Sequence, residues 1–279
     1  MTQTEATLRP YIMGRIGGCR PLLERCPLPD PYVCDIFSPQ GLNFYRLVNA
    51  GNNHAFGGLG MPPWVQLDCA TLPTAMIGYA ITRDEVEPPL WQALVAQVER
   101  QFGSQAVADL RGYQGLVPIS EYCAAATFEP GVVVGFSLFA LRKGLGIRTK
   151  ALAMACYGAK RQIGVTQYPN RSVSAHCAFG PLRLMDPRTL AHSRPEDSFT
   201  YELVFNDPQH LLALIEHGDK ARHPPMDAEF EVEVRPEKTA REVEALIAKH
   251  GPLAIAPPGL RRGETRTMLG LIRVSEPES

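Results

Sequence analysis

The stretch 136-FSLFALRKGLGIRTKALAMACYG-158 decides how the rest of the chain is read. Its opening residues are small or apolar, as in a strand covered on both faces. Two glycines, Gly144 and Gly146, then stand among four cations, Arg142, Lys143, Arg148 and Lys150. An Ala-rich run to Tyr157 follows and predicts a helix. Strand, Gly-x-Gly and helix start together can hold a phosphate group. The first amides of a helix lack intrahelical partners, the helix dipole adds partial positive charge, and glycine lets the backbone approach a ligand. A tight strand-to-helix turn with solvated cations uses the same residue types, so this stretch alone leaves both readings open.

Two familiar cradles do not fit. The sequence contains no GxxxxGK[ST], which removes a P-loop. A dinucleotide fingerprint would want its third glycine at position 149, where Thr149 stands, and it follows the first strand of its fold rather than lying mid-chain.

Working outward, "LVPISEYCAAATF" (116–128) and "GVVVGFSLFAL" (131–141) predict two strands joined by the turn "EPG". Before them, "PPLWQALVAQVERQFG" (88–103) carries Leu90, Leu94, Val95, Val98 and Phe102 at helical spacing between proline and glycine, an amphipathic helix. "WVQLDCATL" (64–72) and "AMIGYAITR" (75–83) predict strands, and "GLNFYRLVNA" (41–50) a short helix. "GNNHAFGGLGMPP" (51–63) predicts a loop, and residues 1–35 an irregular leader. After the central stretch come a strand at "QIGVTQY" (162–168), a short helix in "NRSVSAHCAFG" (170–180) capped by Asn170, and strands at "PLRLMD" (181–186) and "SFTYELVF" (198–205). Beyond Asn206 the sequence predicts a helix (207–217), a strand (229–235), a charged helix (237–250) and strands at "LAIAP" (253–257) and "TMLGLIRV" (267–274).

This order of elements resembles the second half of the Gcn5-related N-acetyltransferase (GNAT) fold, over about residues 115–206. "KGLGIRTKAL" (143–152) is similar to that superfamily's acyl-CoA loop, R/Q-x-x-G-x-G/A, with Lys143 where Arg or Gln is usual, Gly146 as the first glycine and Arg148 in place of the last Gly or Ala. "YPNRSVSAHCAFG" (168–180) is similar to its later motif through Asn170 and Gly180, with Pro181 where Phe is usual. The resemblance implies an α+β fold with a mixed, mostly antiparallel central sheet flanked by helices. It places a leader at 1–35, the acyltransferase domain at 36–206 and a small C-terminal α/β extension at 207–279. It implies an acyl-CoA-dependent N-acyltransferase using acetyl-CoA or another acyl-CoA as cosubstrate, with a small-molecule amine or similar nucleophile as acceptor. The donor would be held by Leu138, Phe139, Ala140, Leu141, Lys143, Gly144, Leu145, Gly146, Ile147, Arg148, Thr149 and Asn170. His176 stands where the family often has a tyrosine acid, and a histidine can protonate a departing thiolate near neutral pH. A packed, hydrogen-bonded histidine suits the same apolar surroundings. The alternative function is a GNAT-like ligand-binding module that has lost the chemistry through Lys143 and Arg148.

Acyl transfer to an amine needs a proton acceptor. Glu121 and Asp68 are acids in otherwise apolar runs, where burial would raise a carboxyl pKa toward a useful range; outward-facing or paired structural carboxylates are the competing reading for each. Asn52, Asn53 and His54 could line the acceptor side, or form a helix C-cap and turn. The seven cysteines include no C-x-x-C, and the spacing of Cys19, Cys26 and Cys34 fits no common zinc pattern, so reduced buried thiols are expected and no metal. A thiol enzyme using Cys69, Cys123 or Cys177 is a third class. The formal net charge of -1 gives no general attraction to nucleic acid. The N-terminal residues lack the order of a signal peptide and the apolar runs stop short of a membrane span, so a cytoplasmic protein is expected. The oligomeric state, a homodimer included, is left open.

Overall fold

In the computed structural model, which describes residues 7–57, 60–71, 74–190 and 194–275, the longest apolar runs become strands and the periodic ones helices. The chain forms two compact units. The first comprises the residues up to Gly131 together with Phe136–Ala159; the second comprises Val132–Gly135 and the residues from Lys160 onward.

In the first unit the order is β1 (Arg9–Gly14), α1 (Ile16–Arg25), β2 (Tyr32–Asp35), α2 (Pro39–Ala55), α3 (Pro63–Thr71), β3 (Met76–Thr82), α4 (Pro88–Phe102), α5 (Ser104–Asp109), β4 (Leu116–Ala126), β5 (Val132–Ala140) and α6 (Leu145–Tyr157). The strands lie in the order β2-β1-β3-β4-β5. β1 runs parallel to β2 and antiparallel to β3, and β3 runs antiparallel to β4. Tyr11, Phe44, Val48, Met76 and Phe139 are core side chains here, with the rings of Tyr11 and Phe44 edge-on at 4.9 Å. Each such large buried side chain contributes roughly 2–3 kcal/mol of transfer free energy.

In the second unit the start of β5 is followed by β6 (Arg161–Gln167), α7 (Ser172–His176), β7 (Leu182–Asp186), β8 (Ser198–Val204), α8 (Pro208–His217), β9 (Phe230–Glu233), α9 (Thr239–His250), β10 (Leu253–Arg262) and β11 (Thr267–Arg273). The order is β5-β6-β8-β7-β10-β11-β9. β5 pairs with β6 in parallel over Val132–Val134 and Arg161–Ile163, and the later ladders are antiparallel. Both units are thus built on mostly antiparallel sheet with helices against it, the mixed architecture expected. The strands beyond residue 206 continue the β6-β8-β7 ladder, because Ala254 and Ile255 of β10 pair with Arg183 and Leu182 of β7.

Three local expectations are corrected. The supposed leader carries β1, α1 and β2, whose apolar residues Tyr11, Ile12 and Met13 are buried. The short helix of 41–50 is the middle of α2, which starts at a Ser38 cap accepting from the Gly41 N–H (2.9 Å) and runs on through the predicted loop to Ala55. Asn49, Asn52 and Asn53 ordinarily compete with helix backbone; here Gln66 and Ser137 hold the amides of Asn49 and Asn52, and Asn53 bonds back to Asn49 one turn earlier, so the helix persists. The predicted strand 64–72 is α3: Gln66, Cys69 and Ala70 are buried at i, i+3, i+4 spacing, a helical stripe that the short alternation of apolar residues concealed.

Candidate functional site

The helix mouth lies within the first unit. Gly144 takes a left-handed conformation (φ 80°) that brings β5 round into α6. Gly146 is half-buried, and a Cβ built on it would meet only Ala140 Cβ at 3.8 Å and Leu138 Cδ2 at 4.0 Å, so packing does not require a glycine there. β5 alternates sharply as it approaches this mouth. Ser137 and Phe139 are buried, whereas Phe136 is 54% exposed and Leu138 and Ala140 are half-buried. One side of the strand is therefore a partly open apolar track that ends at Gly146.

The four cations do not converge on that mouth. Arg142 Nη2 donates to the Glu85 carbonyl (3.3 Å), and the Arg148 guanidinium lies 5.7 Å from the centre of the Tyr79 ring. Lys150 is buried and, of the four, only Lys143 is exposed. Leu141 and Arg142 are half-buried, Leu145 and Ile147 point into the core, and Thr149 Oγ1 is hydrogen-bonded to Ser120 Oγ (2.7 Å) and to Leu145 O (2.8 Å).

Glu121 sits one residue from Ser120 on β4 and so faces the opposite side of the sheet, toward α2. It is completely buried. Asn52 Nδ2 donates to Ser137 Oγ (2.6 Å) and reaches Glu121 Oε2 at 3.5 Å, while Asn52 Oδ1 accepts from the Met61 N–H (2.8 Å). Asn49 Nδ2 continues the chain to Met61 O (3.2 Å) and Gln66 Oε1 (2.7 Å). Among the described residues, Glu121 Oε1 and Gln66 Nε2 have no hydrogen-bond partner. Gly78, directly opposite Glu121 on β3, offers no side chain; a Cβ there would collide with the Ser120 carbonyl of β4, and the Tyr11 ring would stand 2.9 Å from it. Burial pushes the Glu121 carboxyl up to about 8, against the downward pull of the Asn52 and Ser137 hydrogen bonds and with a further push from Cys69. A carboxyl poised there changes protonation close to neutral pH, as a general base must.

The structure thus joins Glu121 and Asn52, which the sequence placed in separate roles, and adds Ser137, Asn49 and Gln66, which the sequence did not single out. A helical reading of 49–66 would have shown Asn49, Asn52 and Asn53 at one-turn spacing. The other candidates lie elsewhere. His54 is exposed near the end of α2, and Asp68 is exposed on α3 rather than enclosed in an apolar strand. In the second unit the His176 ring is buried 5.0 Å from that of Tyr201; the N-cap of α7 is Arg171, which makes no side-chain cap bond, and the expected cap Asn170 stands one residue earlier, its Oδ1 accepting from the Ser172 N–H (2.9 Å).

The second unit also holds a cleft of about 460 Å³ that the sequence did not announce, lined by Phe179, Phe205, Arg183, Glu202, His210 and His223 among others. Glu202 Oε1 accepts from Arg161 (2.9 Å) and Oε2 from Arg183 (3.4 Å). Each histidine spends one nitrogen on a backbone carbonyl: His210 Nε2 on Ala221 (2.9 Å) and His223 Nδ1 on Pro224 (2.8 Å).

No protein-family model matches the chain, and no curated protein matches it significantly. Among the described residues, no three His, Cys, Asp or Glu side chains are grouped to hold a metal ion, and no helix is long and apolar enough to cross a membrane.

Proposed function

We propose that this chain is an acyl-CoA-dependent N-acyltransferase with a small-molecule amine or similar nucleophile as acceptor, on a GNAT-like scaffold. The observation that carries the reading is the partly open apolar track of β5, Phe136–Leu138–Ala140, running into a helix mouth whose second glycine leaves room a side chain could fill. A pantetheine arm and a diphosphate need such a pair of features. Acyl-CoA, when bound, supplies an acyl group activated on sulfur.

The chain's own residues would then act as follows. The amides that open α6, helped by Lys143, hold the diphosphate; Arg142 and Arg148 are engaged with Glu85 and Tyr79. Backbone groups of β5 beyond Gly135, outside its ladder with β6, orient the arm. Glu121 receives the acceptor's proton from the α2 side, where Asn52 and Ser137 fix its carboxyl.

A second reading, a ligand-binding module without turnover, is favoured by the complete burial of Glu121, which gives no direct path to an acceptor. Thermal unfolding with acetyl-CoA and longer acyl-CoAs, followed by thiol release with a panel of amines, tests both. Ligand at a hundred times its Kd should stabilise the fold by about 2.7 kcal/mol. Stabilisation with thiol release supports the enzyme, and stabilisation without release on any amine selects the binding module. No stabilisation by any acyl-CoA removes both.

A further inference from the structure

Six of the seven cysteines are buried, and Cys26 alone is partly open to solvent. It caps the C-terminus of α1, its N–H bonded to Leu23 O (3.1 Å) and its Sγ donating to Leu28 O (3.5 Å). The neighbouring Arg25 reaches across to the end of α6. Its Nη1 donates to Tyr157 O (3.2 Å), and a Cβ built on Gly158 would lie 3.4 Å from Arg25 Cδ. These contacts set the end of α1 against the last turn of α6, where Cys156 is fully buried. The two thiols are near enough to influence each other's ionisation. A partly open thiol backed by a buried second thiol is the arrangement that thiol–disulfide exchange requires: one sulfur accessible to attack, one held ready to resolve the adduct.

We propose that Cys26 and Cys156 are a redox-active dithiol that closes a disulfide between the end of α1 and the last turn of α6 when a small-molecule disulfide of the glutathione type is supplied. The pair is independent of any acyl donor. The Cys26 thiolate attacks one sulfur of the small disulfide RSSR, which breaks its S–S bond, forms a mixed disulfide on Cys26 and expels one thiolate, RS⁻. That thiolate takes the Cys156 proton and leaves as RSH. The Cys156 sulfur attacks Cys26 Sγ and expels the second RS⁻, which picks up the proton Cys26 had lost. The protein is oxidised by two electrons and the small disulfide is reduced to two thiols. The nearby Cys156 favours this division of labour, because its influence lowers the Cys26 thiol to about 7 while that of Cys156 is raised, which holds the proton on Cys156. Cys69 and Cys123 influence each other in the same way, but both are buried, so they serve as an internal control.

The test is to treat the folded full chain with oxidised glutathione, quench with iodoacetamide, and determine intact mass and peptide linkage. The wild type should lose two hydrogens and yield one peptide linking Cys26 to Cys156, with Cys69 and Cys123 alkylated only after unfolding. Cys156→Ser should stop at one glutathione on Cys26, and Cys26→Ser should give neither adduct nor link. Iodoacetamide should modify native Cys26 roughly tenfold faster or more than any other cysteine. The wild-type result and the partly exposed Cys26→Ser variant decide the matter even if Cys156→Ser folds poorly. A link between any other pair, adducts unaffected by Cys26→Ser, or no reaction at Cys26 overturns the proposal.

Discussion

The two faces of β4 and β5 treat neighbouring residues in opposite ways. On the α2 face everything is sealed: Glu121, Ser137 and Phe139 are buried, and Asn52 of α2 turns inward to hold the first two. On the α6 face β4 is closed, with Ser120 tied to Thr149, whereas β5 opens along Phe136, Leu138 and Ala140 toward a mouth formed by glycines. Consecutive residues of a strand point to opposite faces, so one pair of strands can keep a proton site dry and a ligand track open without either disturbing the other. The burial that makes Glu121 chemically useful is therefore expensive in stability, whereas the open track forgoes apolar burial that the fold could otherwise have used.

The sharpest test of the sealed face is Glu121→Gln, with the largest expected effect. The folded carboxyl titrates near 8 and the unfolded one near 4.5, so between these values the native state holds a proton that the unfolded state has lost. Stability should fall as pH rises through that window. The penalty is absent below it and complete above it, on the order of 4–5 kcal/mol. Glutamine has the same shape and no charge. Urea titrations from pH 4.5 to 8.5 should show the wild type losing stability relative to Glu121→Gln across the window. Parallel curves for the two proteins would mean that water reaches the carboxyl and the face is not sealed. With an acyl acceptor in hand, the same substitution should cut turnover by about 10²–10⁴-fold if Glu121 is the base and leave it unchanged if the cluster only holds α2 in place.

A smaller effect is expected from Gly51→Ala. Gly51 faces the same side as Asn52, and a Cβ there would lie 2.8 Å from two carbons of the Phe139 ring, inside any tolerable contact. Either α2 must lift or Phe139 must leave its rotamer, which costs about 1–3 kcal/mol in a filled core. Denaturant midpoints of wild type and variant measure it, and an unchanged midpoint would show that α2 is less firmly seated on β5 than the geometry indicates.

These two positions also show what the sequence could and could not disclose. The strand–glycine–helix run at 136–158, the helix at 88–102 and the strands at 116–126, 161–167 and 198–204 were legible because periodicity and turn residues agree there. α3 was misread because alternating apolar residues hid its helical stripe, and α2 because of its composition. The Asn- and Gly-rich run 49–57 looks like a loop by composition, and only tertiary hydrogen bonds to Ser137, Gln66 and Met61 make it helical. Glu121 was recognisable as an acid in an apolar run; Ser137 stood on a legible strand, but Asn52, which links the two, comes from an element that composition assigned wrongly. The scattering of the four cations was equally hidden, since it depends on where Glu85 and Tyr79 fall in space.

The open face is sharpened by a glycine that contrasts with Gly51. Gly146 lies in the first turn of α6 with room for a Cβ, so Gly146→Ala adds no clash and removes conformational freedom from the unfolded chain. Alanine should therefore stabilise the free protein by about 0.5–1 kcal/mol. A protein selected for stability alone would have little reason to keep glycine there, whereas one whose backbone must touch a diphosphate would. The methyl group would stand between the opening amides of α6 and the ligand. The variant should then melt at a slightly higher temperature than wild type when free and show a smaller shift, or none, with acetyl-CoA. Stabilisation of the free protein with an undiminished acyl-CoA shift would place any bound diphosphate elsewhere, and a loss of stability would mean that the room at Gly146 is already in use by the fold.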